Sequence, residues 1–375
     1  MSEFPDKWSR LKAVLSHDWL TGMRGGERVL EILCEGFPDA PILTLFHKPS
    51  AVSDVINRHS IQTSFLQKTP GIFERYRYLL PLFPAAVGRL RPPAADLLIS
   101  TSHCVAKGLR PAAGTKHLCY CFTPMRYAWL FRREYLGHNP LKTLLARPVL
   151  AALRRWDRRT AGGVDRFVAI SRHVQKRIRD FYGRDADVVY PPVDTARWTP
   201  AAALPTADYD LIVSALVPYK RIDIAVRAYN RLGHPLRIVG AGAEAARLRS
   251  LAAPNVSFLG WQPDEALLGL YRNCRLLVFP GEEDFGIVPL EAQACGRPVV
   301  AFAKGGAIET VRDGVSGVFF REQTADALIA AVRDGASRTW DPSAVRAGAE
   351  RFGVAGFIAG LADSIDACLA VAPHG

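Results

Sequence analysis

Long hydrophobic runs are missing from this chain of 375 residues. Its longest nearly apolar stretches, such as residues 78–88 (YLLPLFPAAVG), are well short of the roughly 20 residues that a bilayer-spanning helix needs. The opening MSEFPDKWSR holds acids and no apolar centre, so no secretory leader is expected and an intracellular protein is. Cysteine is sparse. Seven of them, an odd number, do not make a disulfide framework over this length. Cys119 and Cys121 sit two apart, on one face of a strand, and no His or Cys cluster nearby completes a zinc site. Low-complexity segments and short repeats are also absent. No zinc finger, RNP-like aromatic motif or helix-turn-helix signature points to nucleic acid. A composition of 49% hydrophobic and 22% charged residues argues against disorder.

What is present is a lopsided positive charge. The net charge is +12. Residues 1–200 hold 31 Lys and Arg against 17 Asp and Glu, and the remainder holds 17 against 19. The excess therefore lies wholly in the first half. That asymmetry favours an anionic partner there: a membrane surface, a phosphorylated substrate or nucleic acid. The plain alternative is an arginine-rich bias with no partner. Residues 127–163 interleave aromatic and basic side chains, with Glu134 and Asp157 as their only acids. Leu144, Leu145, Val149, Leu150, Leu153 and Trp156 recur there at near-helical spacing, and Arg154, Arg155, Arg158 and Arg159 cluster at the far end. This reads either as a crossover helix with a solvated basic face or as a docking face for an anionic bilayer. Residues 68–91 form a second such candidate, mixing Phe, Tyr and Leu with Arg75, Arg77, Arg89 and Arg91.

Short β-rich apolar runs alternate with helical stretches along the whole chain. Strands are expected over residues 11–16, 42–46, 96–101, 117–122 and 166–170, then 210–215, 236–240, 256–259, 275–279 and 298–302. Near-continuous apolar strands belong to parallel sheets covered on both faces, and the helices between them supply the crossovers. Residues 191–210 (PPVDTARWTPAAALPTADYD) lack helical periodicity and read as a linker. The expectation is two doubly wound α/β domains, residues 1–195 and 196–354, with a helix at 355–375 completing the first.

The sharpest chemical signal is FPGEEDFGIVPLEAQACGRPVV, residues 279–300. A strand ends at Phe279, and a loop carries Glu282, Glu283 and Asp284. Phe285, Gly286 and Ile287 then open a helix with Pro289 in its first turn, Glu291 just beyond and Gly296 past its end. The helix start offers unpaired amides and a positive dipole end, and Gly286 permits close approach. A merely stabilising acidic first turn would not account for the glycine, nor for a second Glu eight residues on.

This segment resembles the motif of the retaining GT-B glycosyltransferases of family 4, a Glu, seven residues, and a second Glu: here Glu283 and Glu291. The resemblance implies two Rossmann-like doubly wound domains facing across a cleft. It implies that Glu283 holds the donor sugar, that Phe285, Gly286 and Ile287 give backbone contacts, and that Glu291 grips the ribose. DLIVSALVPYKRID (residues 210–223) is similar to the family's strand and basic loop, which makes Lys220 the diphosphate-binding lysine with Arg221 beside it. The family often carries an Arg five residues before that lysine. Here Ala215 stands there, so the second cation is either missing or supplied elsewhere, by Arg221 or Arg126. Gly25 and Gly26, in SHDWLTGMRGGERV, resemble the glycine pair near the donor phosphates. CYCFTPMRYAW (residues 119–129) resembles an active-site strand end, with Phe122 where many relatives have His; His103 is the candidate substitute.

What the resemblance implies is sugar transfer with retained configuration, with no metal and no cofactor beyond the donor. GDP-mannose is the expected donor and a UDP-sugar the runner-up. The expected acceptor is a lipid-linked saccharide of polysaccharide synthesis, at the inner face of the plasma membrane, with no nucleic acid partner. Two Asp-x-Asp pairs, Asp185/Asp187 and Asp208/Asp210, precede strands rather than follow them, unlike the metal-binding pairs of other transferases. Three competing readings remain. IVGAGAE (residues 238–244) has the Gly240-x-Gly242 of a dinucleotide fingerprint but no acid ending the next strand. A nucleotide-sugar epimerase shares the architecture. A basic non-enzymatic protein binding nucleic acid or membrane would use the first half.

Overall fold

Two separate parallel sheets organise the chain in the computed structural model, which describes residues 4–130, 140–202 and 208–370. One compact unit takes in the chain up to Pro191 and resumes at Phe357; the other is Pro192–Gly356. The boundary expected at 195/196 falls at 191/192.

The first unit holds β1 (Ala13–His17), β2 (Ile42–Thr44), β3 (Ile61–Thr63), β4 (Leu97–Ser102), β5 (Lys116–Cys121), β6 (Arg166–Ala169) and β7 (Ala186–Val188). Their order across the sheet is β3-β2-β1-β4-β5-β6-β7, parallel throughout. Every residue of β1 and β4 is buried, their serines, Thr101 and His17 included, as in a parallel sheet covered on both faces. Helix α1 (Gly25–Gly36) follows β1, α2 (Pro140–Ala161) precedes β6, and α3 (Arg172–Tyr182) follows it. The Ser171 hydroxyl caps α3 by accepting from Val174 N at 3.1 Å, and Gly183, at φ 65°, ends it.

The far end of α2 is docked by a buried charge. Lys107 Nζ, 2% exposed, is ion-paired with the Asp157 carboxylate (2.8 Å) and donates to the Asp157 carbonyl (2.7 Å). Trp129 Nε1 and the Tyr182 hydroxyl both donate to Asp157 Oδ2, at 2.7 and 2.8 Å. Asp157, one of two acids in the basic stretch, is thus the pin that holds the helix to the core. Farther back on α2, Leu144 and Val149 are exposed. Residues 131–139 of that stretch lie outside the described residues, as does the Leu145 side chain.

The second unit holds β8 (Asp210–Val213), β9 (Leu236–Val239), β10 (Val256–Gly260), β11 (Leu277–Phe279), β12 (Val299–Phe302) and β13 (Gly317–Phe320), in the order β10-β9-β8-β11-β12-β13. Its main helices are α4 (Ile222–Leu232), α5 (Asp264–Asn273), α6 (Ile287–Ala294), α7 (Ala325–Ser337) and α8 (Pro342–Glu350). The chain ends on α9 (Val354–Ala370), which packs in the first unit: Phe357 meets the Tyr120 ring edge-on at 5.6 Å, and Ser364 donates to Asp187. Contrary to the expectation that no stretch is long enough, Pro342–Ala370 is long and apolar enough by composition to cross a membrane. The fold instead breaks it into α8 and α9, whose apolar faces (Val345, Ala349, Phe357, Leu361, Ile365) are buried. All seven cysteines are buried free thiols.

Three of the four aspartates of the two Asp-x-Asp pairs are held by arginines. Arg166 binds Asp187 through Nε (2.6 Å), and Arg179 binds Asp185 at 2.9 Å. Arg275 and the Tyr229 hydroxyl hold the fully buried Asp210. The Gly240-x-Gly242 turn is a packing device. A Cβ on Gly240 would lie 1.9 Å from the Ser214 carbonyl oxygen, and one on Gly242 2.2 Å from that of Leu216.

Candidate active site

In an open parallel sheet, ligands bind beyond the carboxyl ends of the strands where the strand order reverses. In the second unit that point lies between β8 and β11. The loop leaving β8 carries Lys220, and the loop leaving β11 carries Glu283. Their side chains form an ion pair, 13% and 21% exposed.

Backbone packing holds this pair in place. A Cβ on Gly281 would lie 2.9 Å from Lys220 Cα, so the two loops touch main chain to main chain. The loop leaving β12 closes on the other side. Gly306 N donates to the Glu283 carbonyl at 2.8 Å. A Cβ on Gly305 (φ 72°) would sit 2.3 Å from that same oxygen. Lys304 pairs with Glu282 at 3.1 Å. Sequence reasoning singled out the acids and missed Gly281, Gly305 and Gly306. Their only signal is the absence of a side chain.

Behind Glu283 the chain turns into α6. Gly286 takes φ 97°, a left-handed conformation, at the N-cap. Phe285 buries its ring edge-on against Phe352 at 5.7 Å, leaving its backbone at the site. Ile287 opens α6. Glu291, one turn on, accepts from the hydroxyl of the fully buried Tyr271 at 2.7 Å. Arg221 is the one non-glycine residue at positive φ (53°) among the described residues. Its guanidinium reaches Asp223 at 3.2 Å and Gln323 at 3.4 Å. Within the second unit, therefore, Lys220 and Glu283 are paired with each other, while Arg221 and Glu291 are held by other partners.

In the first unit the strand order reverses between β1 and β4, and the other expected residues lie on the loops around that point. Gly25 and Gly26 open α1. Arg24 N donates to the Glu27 carboxylate at 3.2 Å, half of a capping box. A Cβ on Gly25 would meet nothing within 4 Å, whereas one on Gly26 would touch the Phe122 and His17 rings at 3.3 and 3.4 Å. Arg126 begins a one-turn helix after β5 and is half-buried. His103 follows β4; its Nδ1 lies 3.0 Å from the carboxylate of the fully buried Asp18. His17 is also buried. Its Nδ1 lies 2.7 Å from the Thr101 hydroxyl, and burial lowers its pKa to about 4. Glu27 is pushed up, chiefly by burial. Asp18 went unremarked in the sequence; a buried acid directly after a strand was its only mark.

Comparison with known proteins bears on the family and the fold. Residues 23–197 match the family described as Glycosyltransferase Family 4, and residues 202–339 match Glycosyl transferases group 1. The D-inositol 3-phosphate glycosyltransferase of Mycolicibacterium gilvum is 34% identical over 187 residues, covering 44% of this chain and 42% of that protein. The protein of the same name from Salinispora arenicola is 36% identical over 192 residues, covering 41% and 43%. The matched stretches thus span less than half the length of these relatives. Among solved structures, Anabaena HepE in complex with UDP and glucose superposes with a TM-score of 0.68 at 18% identity, covering 95% of this chain and 99% of that one. Sucrose-phosphate synthase from Thermosynechococcus elongatus gives 0.70 at 18%, covering 96% and 100%. These likenesses establish the shared fold. The chain thus matches, in order, the Glycosyltransferase Family 4 and Glycosyl transferases group 1 models, on the two-domain GT-B fold.

Proposed function

We propose that this protein transfers a sugar from a nucleotide diphosphate to an acceptor hydroxyl with retention of anomeric configuration. The observation that carries the reading is the Lys220–Glu283 pair at the β8/β11 reversal, backed by the α6 amides behind Gly286. As the glycosidic bond to the diphosphate oxygen breaks, negative charge grows on that oxygen. Lys220 and the α6 amides suit its stabilisation, and Glu283 suits the sugar hydroxyls. In front-side displacement the departing phosphate takes the acceptor's proton as the new carbon–oxygen bond forms. Such a route needs neither a His at residue 122 nor a metal.

GDP-mannose is the donor this reading favours, with a lipid-diphosphate saccharide as acceptor. The matched relatives are named for an inositol phosphate acceptor and a solved neighbour binds UDP, which supports a second reading: a UDP-sugar and a phosphorylated polyol. A panel of labelled GDP-mannose and UDP-sugars, offered with lipid-diphosphate and inositol phosphate acceptors, decides. Transfer from GDP-mannose to lipid diphosphate supports the first reading. Absence of transfer from every donor overturns both.

Peripheral membrane binding on the cytoplasmic side belongs to the same proposal. Phe65, Tyr78 and Leu82 are exposed in the first unit, with Arg89 over the Phe65 ring at 5.1 Å. Leu144 and Val149 are exposed on the arginine-rich α2. Apolar side chains among arginines suit an anionic interface, where each cation contributes about 1 kcal/mol. Sedimentation with anionic but not neutral vesicles is expected; equal binding to both defeats the electrostatic account.

A further inference from the structure

One carboxylate in the first unit has more partners than its burial requires. Asp18 follows β1 and is fully buried. Its Oδ2 accepts from His103 N (2.6 Å) and Cys104 N (2.9 Å), and its Oδ1 from Val105 N (2.6 Å) and Ala106 N (2.7 Å). Four successive amides already compensate a buried negative charge. The fifth contact is of another kind: the His103 ring nitrogen Nδ1, 3.0 Å from Oδ2.

The His103 ring is also held sideways. Trp19 meets it edge-on, with centroids 4.6 Å apart and planes at 82°. Yet the side chain remains 30% exposed, and Nε2 has no partner among the described residues. The ring stands just past β4, at the reversal with β1. Phe122, which also lies against Gly26, has its ring centroid 6.5 Å away. A polar ring with one nitrogen clamped and the other open, at the place where an open sheet binds ligands, is arranged to present that second nitrogen.

The chemistry of the clamp decides what Nε2 can do. An ionised carboxylate only accepts, so the nitrogen facing it must carry the proton. A neutral imidazole has one N–H; with that proton on Nδ1, Nε2 keeps a lone pair. The four backbone N–H groups on Asp18 can only donate, so they hold it as the carboxylate. The other titratable groups interacting with this ring are His17, lowered to about 4 by burial, and Glu27, raised by burial.

We propose that Asp18 is a positioning residue for sugar transfer: it fixes His103 in the Nδ1–H form, so that Nε2 accepts a hydrogen bond from a hydroxyl of the sugar substrate. The proposal rests on the glycosyltransferase reading above, and its test separates the two. In the full-length protein, nitrogen-15 NMR of the histidine rings should show neutral His103 as the Nδ1–H tautomer. The Nε2–H tautomer would overturn the proposal whatever the protein transfers.

Kinetics supply the second arm, with His103→Ala, Asp18→Asn and the double variant. Each single change should lower kcat roughly ten- to hundred-fold, with donor KM within a few-fold, the effect of one hydrogen bond lost at the reacting substrate. Because Asp18 acts through His103, the double variant should be no slower than His103→Ala. Losses that multiply in full, or an unimpaired His103→Ala, would overturn the proposal. Should Asp18→Asn fail to fold, the tautomer measurement and His103→Ala still decide it. If the wild type transfers no sugar at all, the functional reading falls, and the tautomer still reports whether Asp18 orients the ring.

Discussion

The ammonium of Lys220 and the carboxylate of Glu283 neutralise each other across the two loops that leave β8 and β11. On the proposed function, a diphosphate arriving at this point would have to take Lys220 from Glu283, and a sugar behind it would give Glu283 new partners. The two residues should therefore fail differently. Lys220→Ala should weaken binding of the free nucleoside diphosphate about ten- to hundred-fold, the value of one charge-assisted contact. Glu283→Ala removes a competitor for the lysine and should leave that affinity unchanged or improved. It should still lower turnover by roughly 100- to 1,000-fold, with an unchanged circular dichroism spectrum. Calorimetry with GDP and UDP, beside transfer assays, separates the two effects. Equal loss of nucleotide affinity in both variants would contradict this division.

The glycines packed around the pair should be intolerant of a methyl group. At Gly305 an alanine would meet the Glu283 carbonyl at 2.3 Å from a backbone at φ 72°. The left-handed conformation alone costs about 1–3 kcal/mol, and the clash adds to it. Gly305→Ala should lower the melting temperature and displace Glu283, so that activity falls too. Gly269 is the control. It lies within α5, and a Cβ there would meet nothing within 4 Å. Gly269→Ala should stabilise by about 0.5–1 kcal/mol and leave transfer unaltered. Thermal melts of the two variants check the contrast.

These glycines also mark how far the sequence could be read. The central strands were legible because both faces of their sheets are covered. β1, β4, β5, β8 and β12 each carry at least three consecutive apolar residues, and their observed bounds lie within two residues of the expected ones. Of the four edge strands, only β10 was foreseen. Ile61–Thr63 and Ala186–Val188 are three residues long with a polar residue in the middle, and Gly317–Phe320 begins with glycine. Nothing in such short segments distinguishes a strand from a loop until a neighbour pairs with it. The acids of residues 282–291 were legible as chemistry because they flank a helix start. Asp18 was not, because its role depends on residues 103–106, which are far away in the chain and near only after β1 and β4 pair. Arg221 looked from its neighbour like a second phosphate cation; only the fold reveals Asp223 and Gln323 at its guanidinium.

The pin beneath α2 should be a point of weakness. Lys107 and Asp157 are 2% and 0% exposed, and each is the other's counter-charge. Asp157→Ala leaves an ammonium buried without a carboxylate and strips acceptors from Trp129 and Tyr182. Breaking a buried pair from one side costs about 3–5 kcal/mol. Replacing both partners, as Lys107→Met with Asp157→Leu, should recover part of that loss. Hydrogen exchange along α2 is the readout. Protection lost in the single variant and regained in the pair is expected; equal losses would show that the Trp129 and Tyr182 bonds, rather than the charges, hold the helix.

Acid should loosen the first unit before most of its carboxylates titrate. His17 and His117 are fully buried, and burial lowers each pKa from 6.5 to about 4. Between those values the unfolded chain takes up protons that the folded one refuses, so stability falls as the pH drops through this window and levels off near its lower end. Each histidine contributes on the order of 3 kcal/mol to that fall. Asp18, held ionised in the fold, keeps its full contribution above the ordinary carboxylate value of 3.8 and loses it only below. Glu27, pushed up by burial, works the other way: folding gains from its protonation as the pH falls. Across the window the two histidines outweigh that single carboxyl. Hydrogen exchange in β1, β4 and β5 at pH 7.5, 6, 5 and 4.5 isolates this unit. Protection should drop steadily, and less so in His117→Gln, which cannot take up the proton. A profile flat from pH 7.5 to 4.5 would mean that these imidazoles are charged, or reach water, in the native state.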